Sequence, residues 1–274
     1  ILDSPSELEE FWANVIDGRK YLSNIAVVFT NFLSIFPIKS ELTLNLAAKL
    51  LGNSEYSFVE QVIDVFANMR SYTLAEDPDD GNQRLEFVRL ENINRFERDN
   101  ENGYKCILTR PFVIPNSHGL EIPVETKFLS TAKGNLQFEF NYNYWNVFWR
   151  AMTSVLCESR NGINSLSVQL QRMIKLVCRM IALNPLCATQ LQQIMLTPNK
   201  GGQVVVPNDP NEGGCSALVC VLLYTLAMLR DNPDCISLAL DIMRALNNLL
   251  RSQLCPQVVL TIQLFENIYI DNSF

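Results

Sequence analysis

Apolar residues recur every three or four positions through residues 5–70, which is the spacing of one face of an α-helix. Breaks at Pro37 and Gly52 divide this part of the chain into helices of about 12–18 residues. Ser6 followed by Glu9 has the pattern of a capping box and predicts the start of the first helix. Because the breaks are short, neighbouring helices should pack antiparallel.

The apolar spacing then falls to every second residue, the repeat of a β-strand. Short segments that alternate or run apolar lie at 85–90, 104–108 and 135–142. Asn102-Gly103 and Lys133-Gly134 have the composition of hairpin turns. The pattern predicts about four or five short strands within residues 83–144, enough for a small barrel.

The helical spacing returns after Trp145. The most apolar stretch, Cys215–Leu229, is shorter than the roughly 20 residues of a membrane span, so it predicts a buried helix and no transmembrane segment. Apolar helices joined by short breaks are what stacked helical repeats require, although no strict repeat is visible. We therefore predict a mainly α fold. It is an irregular helical-repeat α-solenoid over residues 1–82 and 145–274, interrupted by a β insertion at 83–144.

Aromatic residues crowd the stretch 138–149, where the two spacings meet. Every second residue of its first half is aromatic, which places these rings on one face of a strand. Trp145, Phe148 and Trp149 follow at the spacing of one helix face. We interpret the stretch as the last strand of the insertion passing directly into a helix, with the rings packing the two together.

A second interpretation makes the same stretch part of a ligand site. On a small barrel, Tyr142, Tyr144 and Trp145 would form one wall of a groove for a proline-rich peptide. Aromatic platforms for RNA normally have basic neighbours, but the net charge of this chain is -7 and its Lys and Arg residues do not cluster along the sequence. Direct nucleic-acid binding is therefore not expected.

The composition, 48% hydrophobic and 19% charged, indicates a folded chain with a large core. The first residues, ILDSPSELEE, contain neither Met nor a signal segment. We therefore expect the chain to be an interior piece of a longer protein.

The residues that could carry chemistry are eight cysteines and one histidine. No CxxC pair occurs, so we interpret the cysteines as small buried hydrophobic residues of a reducing compartment. His118 lies between Pro115 and Gly119, among residues that favour a turn. We predict no metal, no cofactor and no enzymatic activity. An enzyme that uses His118 with a cysteine is the less favoured alternative.

Three stretches carry a resemblance to a known family. They are residues 31–52 with 57–72, residues 109–128 (TRPFVIPNSHGLEIPVETKF) and residues 138–148 (FEFNYNYWNVF). In letters, order and spacing they resemble the large inner-ring nucleoporins of the nuclear pore, namely the 188 kDa nucleoporin family, which is related to the 205/192 kDa nucleoporins. One departure follows Pro123, where the family usually has glycines and this chain has Val124, Glu125 and Thr126.

The resemblance implies an SH3-like barrel inserted in a ring-shaped α-solenoid. It also implies a structural scaffold of the nuclear pore complex inner ring, which supports pore assembly and the transport of protein and mRNA. The implied location is the nucleus, at the pores of the nuclear envelope. Partners would be other inner-ring nucleoporins, with Phe-Gly repeat segments as a secondary possibility, and no catalytic residue is implied.

A different helical-repeat protein is the rival interpretation. A nuclear transport receptor or a ubiquitin-ligase scaffold would have the same apolar helices and would bind peptide segments along its helical surface.

Overall fold

The computed structural model describes residues 5–17, 24–34, 40–51, 58–69, 72–75, 85–93, 103–114, 121–131, 135–159, 166, 168–196, 216–229 and 235–271. These residues are mainly helical, with a small antiparallel sheet. The helices are α1 (Pro5–Asp17), α2 (Asn24–Ser34), α3 (Ser40–Leu50), α4 (Val59–Ala67), α5 (Tyr144–Ser159), α6 (Val168–Leu183), α7 (Cys187–Leu196), α8 (Ser216–Met228), α9 (Ile236–Leu250) and α10 (Cys255–Asp271). The strands are β1 (Tyr72–Ala75), β2 (Phe87–Ile93), β3 (Gly103–Leu108), β4 (Phe112–Val113), β5 (Glu121–Ile122), β6 (Lys127–Thr131) and β7 (Asn135–Phe138).

The first helix begins one residue earlier than the sequence pattern suggested. Helix α1 starts at Pro5, so Ser6 lies inside its first turn and is not the capping residue. Proline suits the first helical position because its φ angle is already helical and its missing N–H would have had no partner in the helix. The capping-box prediction for Ser6 and Glu9 is therefore wrong, while the helix itself is confirmed.

Five strands form an antiparallel sheet in the order β1-β7-β6-β3-β2. The pairs β2–β3 and β6–β7 are consecutive in sequence and antiparallel. Three of these strands match predicted segments, whereas β6 matches none, and the predicted turn residues Asn102, Lys133 and Gly134 lie outside the described residues. Strand β1 was not predicted. It lies ahead of residue 83 and pairs with β7, with Tyr72 opposite Phe138. The sheet therefore draws on residues that the sequence pattern had assigned to the helical part.

The buried face of the sheet is aromatic. Phe128 and Phe138 are directly opposite each other on β6 and β7, and their ring centroids are 5.0 Å apart. Phe112 stacks on Phe138 at 5.9 Å, so the two-stranded pair β4–β5 contributes to the same core. Phe87 of the edge strand β2 meets Phe128 edge-on at 5.4 Å. Such ring pairs add about 0.5–1.5 kcal/mol each to the burial of their area.

The turn between β5 and β6 contains backbone strain. Glu125 has φ 67°, in the left-handed region that glycine adopts at no steric cost. Backbone bonds hold it there, because Glu125 N–H donates to Leu108 O and Leu108 N–H donates to Thr126 O, both at 3.0 Å.

Replacing Glu125 with glycine should raise the free energy of unfolding by about 0.5–1 kcal/mol. Glycine removes the steric cost of the left-handed conformation. It also raises the conformational entropy of the unfolded chain, which lowers the net stabilisation. Urea denaturation followed by circular dichroism measures the change. Glu125→Ala is the control, since alanine removes the carboxylate and keeps the Cβ, and it should leave stability nearly unchanged. Equal stabilisation by both variants would contradict the strain argument.

The chain divides into two compact units. The sheet unit comprises residues 11–43 and 65–147, and the helical unit comprises residues 1–10, 44–64 and 148–274. The helices α6 to α10 lie in the helical unit, whereas all seven strands lie in the sheet unit.

Helices α6 and α9 of the helical unit lie side by side and run in the same direction. The Lys175 Nζ atom is 3.6 Å from the Asp241 carboxylate, and Asn248 Nδ2 donates to Ala182 O at 3.0 Å. The contact between Ala182 and Asn248 lies seven residues further along each helix than the contact between Lys175 and Asp241. The two helix axes therefore run in the same direction. In the same unit, Tyr224 of α8 packs edge-on against Phe265 of α10 at 6.4 Å.

A long-range hydrogen-bonded cap joins α7 to α8. The side-chain oxygen of Gln192, a buried residue of α7, accepts from the backbone N–H groups of Ala217 and Leu218 at 2.8 and 3.3 Å. These amides belong to the first turn of α8, whose N–H groups have no partner within the helix. Gln192 of α7 thus caps the N-terminus of α8.

Candidate functional site

The chain enters and leaves the sheet at one narrow point. Met69, just after α4, and Tyr142, just before α5, form an isolated antiparallel bridge. Met69 N–H donates to Tyr142 O at 3.0 Å, and Tyr142 N–H donates to Met69 O at 2.9 Å. We call this bridge and the side chains around it, Phe66, Tyr144 and Trp145, the neck.

The neck passes directly into helix α5 because Asn143 caps that helix. The Asn143 side-chain oxygen accepts from Trp145 N–H at 2.9 Å. Asparagine is among the preferred residues at a helix N-cap, because its side-chain oxygen accepts a hydrogen bond from a first-turn N–H that has no partner within the helix. Helix α5 begins at Tyr144, which confirms the return of helical spacing there. The strand predicted over residues 135–142 is wrong in its extent, because β7 ends at Phe138 and only Tyr142 forms a single bridge beyond it.

Substituting Asn143 with alanine should lower the free energy of unfolding by about 1 kcal/mol, because the first turn of α5 loses its cap. Thermal and urea melts followed by circular dichroism measure the loss. Asn143→Asp keeps a capping oxygen and is the matched control, expected to stay close to the original stability. If the aspartate variant falls as far as the alanine variant, capping is not the role of this side chain.

The aromatic side chains of the neck pack against one another. The ring centroid of Phe66 lies 5.6 Å from that of Tyr144 and 5.7 Å from that of Trp145, within the range of favourable ring contacts. Tyr142 stacks nearly parallel on the half-buried Phe140 at 6.1 Å. The neck is therefore a dense aromatic joint at the base of the sheet.

The structure brings the three predicted peptide-wall residues together, but inside the protein. Tyr142, Tyr144 and Trp145 are 3%, 1% and 2% exposed. They offer almost no surface to a ligand in this conformation, and their neighbours are rings of the same chain. Trp149, which the sequence placed on the same helix face, is only half-buried. Phe66 was missed as a member of this cluster, because its place beside α5 follows from tertiary packing alone.

The residues proposed for an alternative catalytic site do not form one in the described part of the chain. His118 lies outside the described residues. Cys106, Cys178, Cys187 and Cys235 are buried free thiols, as the apolar pattern around them predicted, but Cys220 is exposed, contrary to expectation. Burial raises the pKa of Cys178 and Cys187 well above that of an ordinary thiol, with the nearby Asp241 charge adding to the effect at Cys178. A thiol held protonated in this way is a poor nucleophile.

Among the described cysteines, Cys220 should react first with a maleimide under native conditions, and Cys178 and Cys187 should react only on unfolding. Desolvation raises the pKa of the Cys220 thiol as well, so its rate should be below that of a fully solvated thiol. Labelling at pH 7 followed by peptide mass spectrometry gives the order. A Cys220→Ser variant is the control and should remove the earliest of these labels. Rapid native labelling of Cys178 or Cys187 would show that they are not held inside.

The described ranges contain no group of three or more His, Cys, Asp or Glu side chains that could hold a metal ion. None of the helices in those ranges combines the length and apolar character needed to cross a membrane.

Comparison of the sequence with models of protein families and with the sequences of curated proteins finds no match. The candidate site therefore has to be interpreted from its own geometry, which is that of a structural joint.

Proposed function

We propose that this chain is a non-enzymatic scaffold segment of the nuclear pore complex inner ring, with the large nucleoporins of the 188 kDa family as its relatives. In this proposal the helices form an irregular α-solenoid and the sheet is an SH3-like barrel inserted into it. The segment supports pore assembly and nucleocytoplasmic transport by contacting other inner-ring nucleoporins.

The observation that carries the proposal is the neck. The chain leaves a helix at Met69 and returns to a helix at Tyr144, and the intervening residues contribute all seven strands. This is the layout of a domain inserted into a run of helices, which the resemblance implies for this family. The three stretches that carry the resemblance, around α3–α4, β4–β6 and β7–α5, flank or fall within that insertion.

The parallel packing of α6 and α9 supports a repeat-like arrangement. In stacked helical repeats, equivalent helices of neighbouring repeats lie side by side in the same direction. Helices α6 and α9 lie side by side in the same direction, as shown by the contacts of Lys175 with Asp241 and of Ala182 with Asn248. In sequence they are separated by α7 and α8.

The state of the thiols favours a scaffold over an enzyme. Nucleophilic catalysis by cysteine needs a lowered pKa and access to substrate. Burial raises the pKa of Cys178 and Cys187, and both side chains are almost completely buried. Both properties are typical of cysteines that pack in a core.

Affinity capture from cells tests the proposal. The full-length protein that contains this chain would be tagged at its own locus, captured under mild conditions, and analysed by mass spectrometry beside a proximity-labelling experiment. We expect inner-ring nucleoporins as the principal partners and fluorescence at the nuclear rim. Recovery of cargo proteins or ubiquitin-ligase subunits without any inner-ring nucleoporin would overturn the proposal in favour of a helical-repeat adaptor.

Phe-Gly repeat binding is a separate question for the same protein. Beads that carry a Phe-Gly repeat peptide, with a Ser-Gly repeat as control, would retain the purified chain if its helices bind such repeats.

A further inference from the structure

Helix α9 exposes an apolar strip on the side opposite its buried face. The buried face is formed by Leu238, Ile242, Ala245, Leu246 and Leu249. The strip, which we call the α9 strip, consists of Ile236, Leu240, Met243 and Leu250, each between 36% and 58% exposed. Their spacing of four, three and seven residues places them on one side of the helix. The exposed Asn247 lies among them as a polar residue on the same side of the helix.

Basic side chains border the α9 strip. On α9 itself Arg244 and Arg251 are exposed. Helix α6 carries further basic residues, among them Lys175, but it meets α9 at Asp241, about 100° around the helix from Leu240, so only Arg244 and Arg251 adjoin the strip. Within residues 168–196, 216–229 and 235–251, all of them described, the single acidic residue is Asp241. Lys175 and Arg244 approach its carboxylate to 3.6 and 3.7 Å, so its charge is already matched.

This basic border stands out against the charge of the whole chain. The net charge is -7, whereas Arg244 and Arg251 lie on one side of residues 235–251, which contain a single acidic residue. A local surface of the opposite sign to the rest of the protein favours a partner segment that is acidic.

We propose that the α9 strip and its basic border bind an acidic amphipathic helix of another protein, with the apolar face of that helix on the strip and its carboxylates beside Arg244 and Arg251. The proposal rests on the proposed function in one respect, namely that the chain works by binding other proteins. It does not depend on which assembly the chain belongs to.

The shape and composition of the surface favour a helix over other anionic ligands. The strip extends from Ile236 to Leu250, about 21 Å at 1.5 Å per residue, which matches about four turns of a bound helix. It contains no aromatic side chain on which nucleic-acid bases could stack. Amphipathic helices recognised in this way present apolar anchors at every third or fourth residue.

A displayed peptide library tests the proposal with the purified chain. The probe is a phage library of helices of about 20 residues, with leucine fixed on one face and Glu, Lys or Gln allowed at the other positions. We expect selected peptides to prefer Glu over Lys. A fluorescent copy of the most enriched peptide should bind Leu240→Glu and Met243→Glu at least about tenfold more weakly in anisotropy titrations. The control Leu42→Glu changes an exposed leucine of α3 and should bind as the original chain does.

A charge exchange separates a specific effect from damage to the fold. Arg244→Glu should weaken the Glu-rich peptide about tenfold, and a copy of that peptide with Lys in place of Glu should regain binding to this variant. Circular dichroism melts of the Leu240, Met243 and Leu42 variants should match the original chain, because these side chains are exposed. Arg244→Glu should melt slightly lower, because it loses its pairing with Asp241.

Other outcomes would overturn the inference. They are failure to enrich any peptide, selection of Lys-rich or charge-neutral peptides, or binding that the variants of the strip leave unchanged. Stronger binding to phosphatidylserine vesicles than to the peptide, abolished by the same variants, would make the strip a membrane contact. None of these results depends on the cell capture experiment, so the scaffold proposal and the docking proposal can fail separately.

Discussion

Replacing Trp145 with alanine should lower the free energy of unfolding by about 3–5 kcal/mol, one of the largest effects of any single substitution in this chain. The side chain is 2% exposed and meets Phe66 at 5.7 Å, so its removal leaves a cavity that the neighbouring rings fill only in part. Urea denaturation with tryptophan fluorescence and circular dichroism gives the value directly.

Trp149 supplies the matched control for this prediction. It is the same residue type, one turn further along α5, and it is half-buried. Trp149→Ala should therefore cost at least about 1 kcal/mol less than Trp145→Ala. If Trp145→Ala costs under about 1 kcal/mol, the neck is not a packed joint, and the wall of a ligand groove becomes the better interpretation of these aromatics.

Replacing residues 70–141 with a four-residue glycine-rich linker should leave a helical chain that unfolds cooperatively. The antiparallel bridge places the Cα atoms of Met69 and Tyr142 about 4.5–5.5 Å apart, a gap that a short turn closes. The deletion keeps the packing of Phe66 on Tyr144 and Trp145. Far-UV circular dichroism and a thermal melt check the helical content and the cooperativity.

A deletion with different ends is the comparison for this experiment. Replacing residues 83–144 with the same linker removes Tyr142 and Tyr144 from the neck and deprives β1 of its partner β7. We expect this variant to melt about 5 °C or more below the first, from the loss of two buried aromatic side chains. A broad, non-cooperative melt of the 70–141 deletion would mean that the helices need the sheet to fold.

The helical part of the fold could be predicted because its signal is local. Most of the helices lie in segments whose apolar residues recur at helical spacing, and the start of α5 follows from the change of spacing at Tyr144-Trp145. Helix α8 is apolar on all sides and was predicted from the length of its apolar run. The shortest strands were harder to predict from the sequence. Strand β1 and the pair β4–β5 are too short to show alternation, so their existence depends on partners distant in sequence.

The candidate sites were only partly visible in the sequence. The sequence identified Tyr142, Tyr144 and Trp145 as a cluster, but the burial that makes them a joint depends on Phe66, from a helix more than seventy residues earlier. The exposure of the α9 strip could not be predicted either, since it depends on which face of α9 the neighbouring helices cover. Periodicity tells which face of a helix is apolar but does not tell which helix covers it.

The capping of α8 by Gln192 has a practical consequence for protein engineering. Because the start of α8 is held by a side chain of α7, the residues 197–215 between the two helices need not set where α8 begins. Loop-closure entropy makes each doubling of the length of a connection cost only about 0.6 kcal/mol. An epitope or fluorescent-protein insertion between α7 and α8 should therefore be tolerated, and it would give the labelled protein that the localisation and capture experiments require.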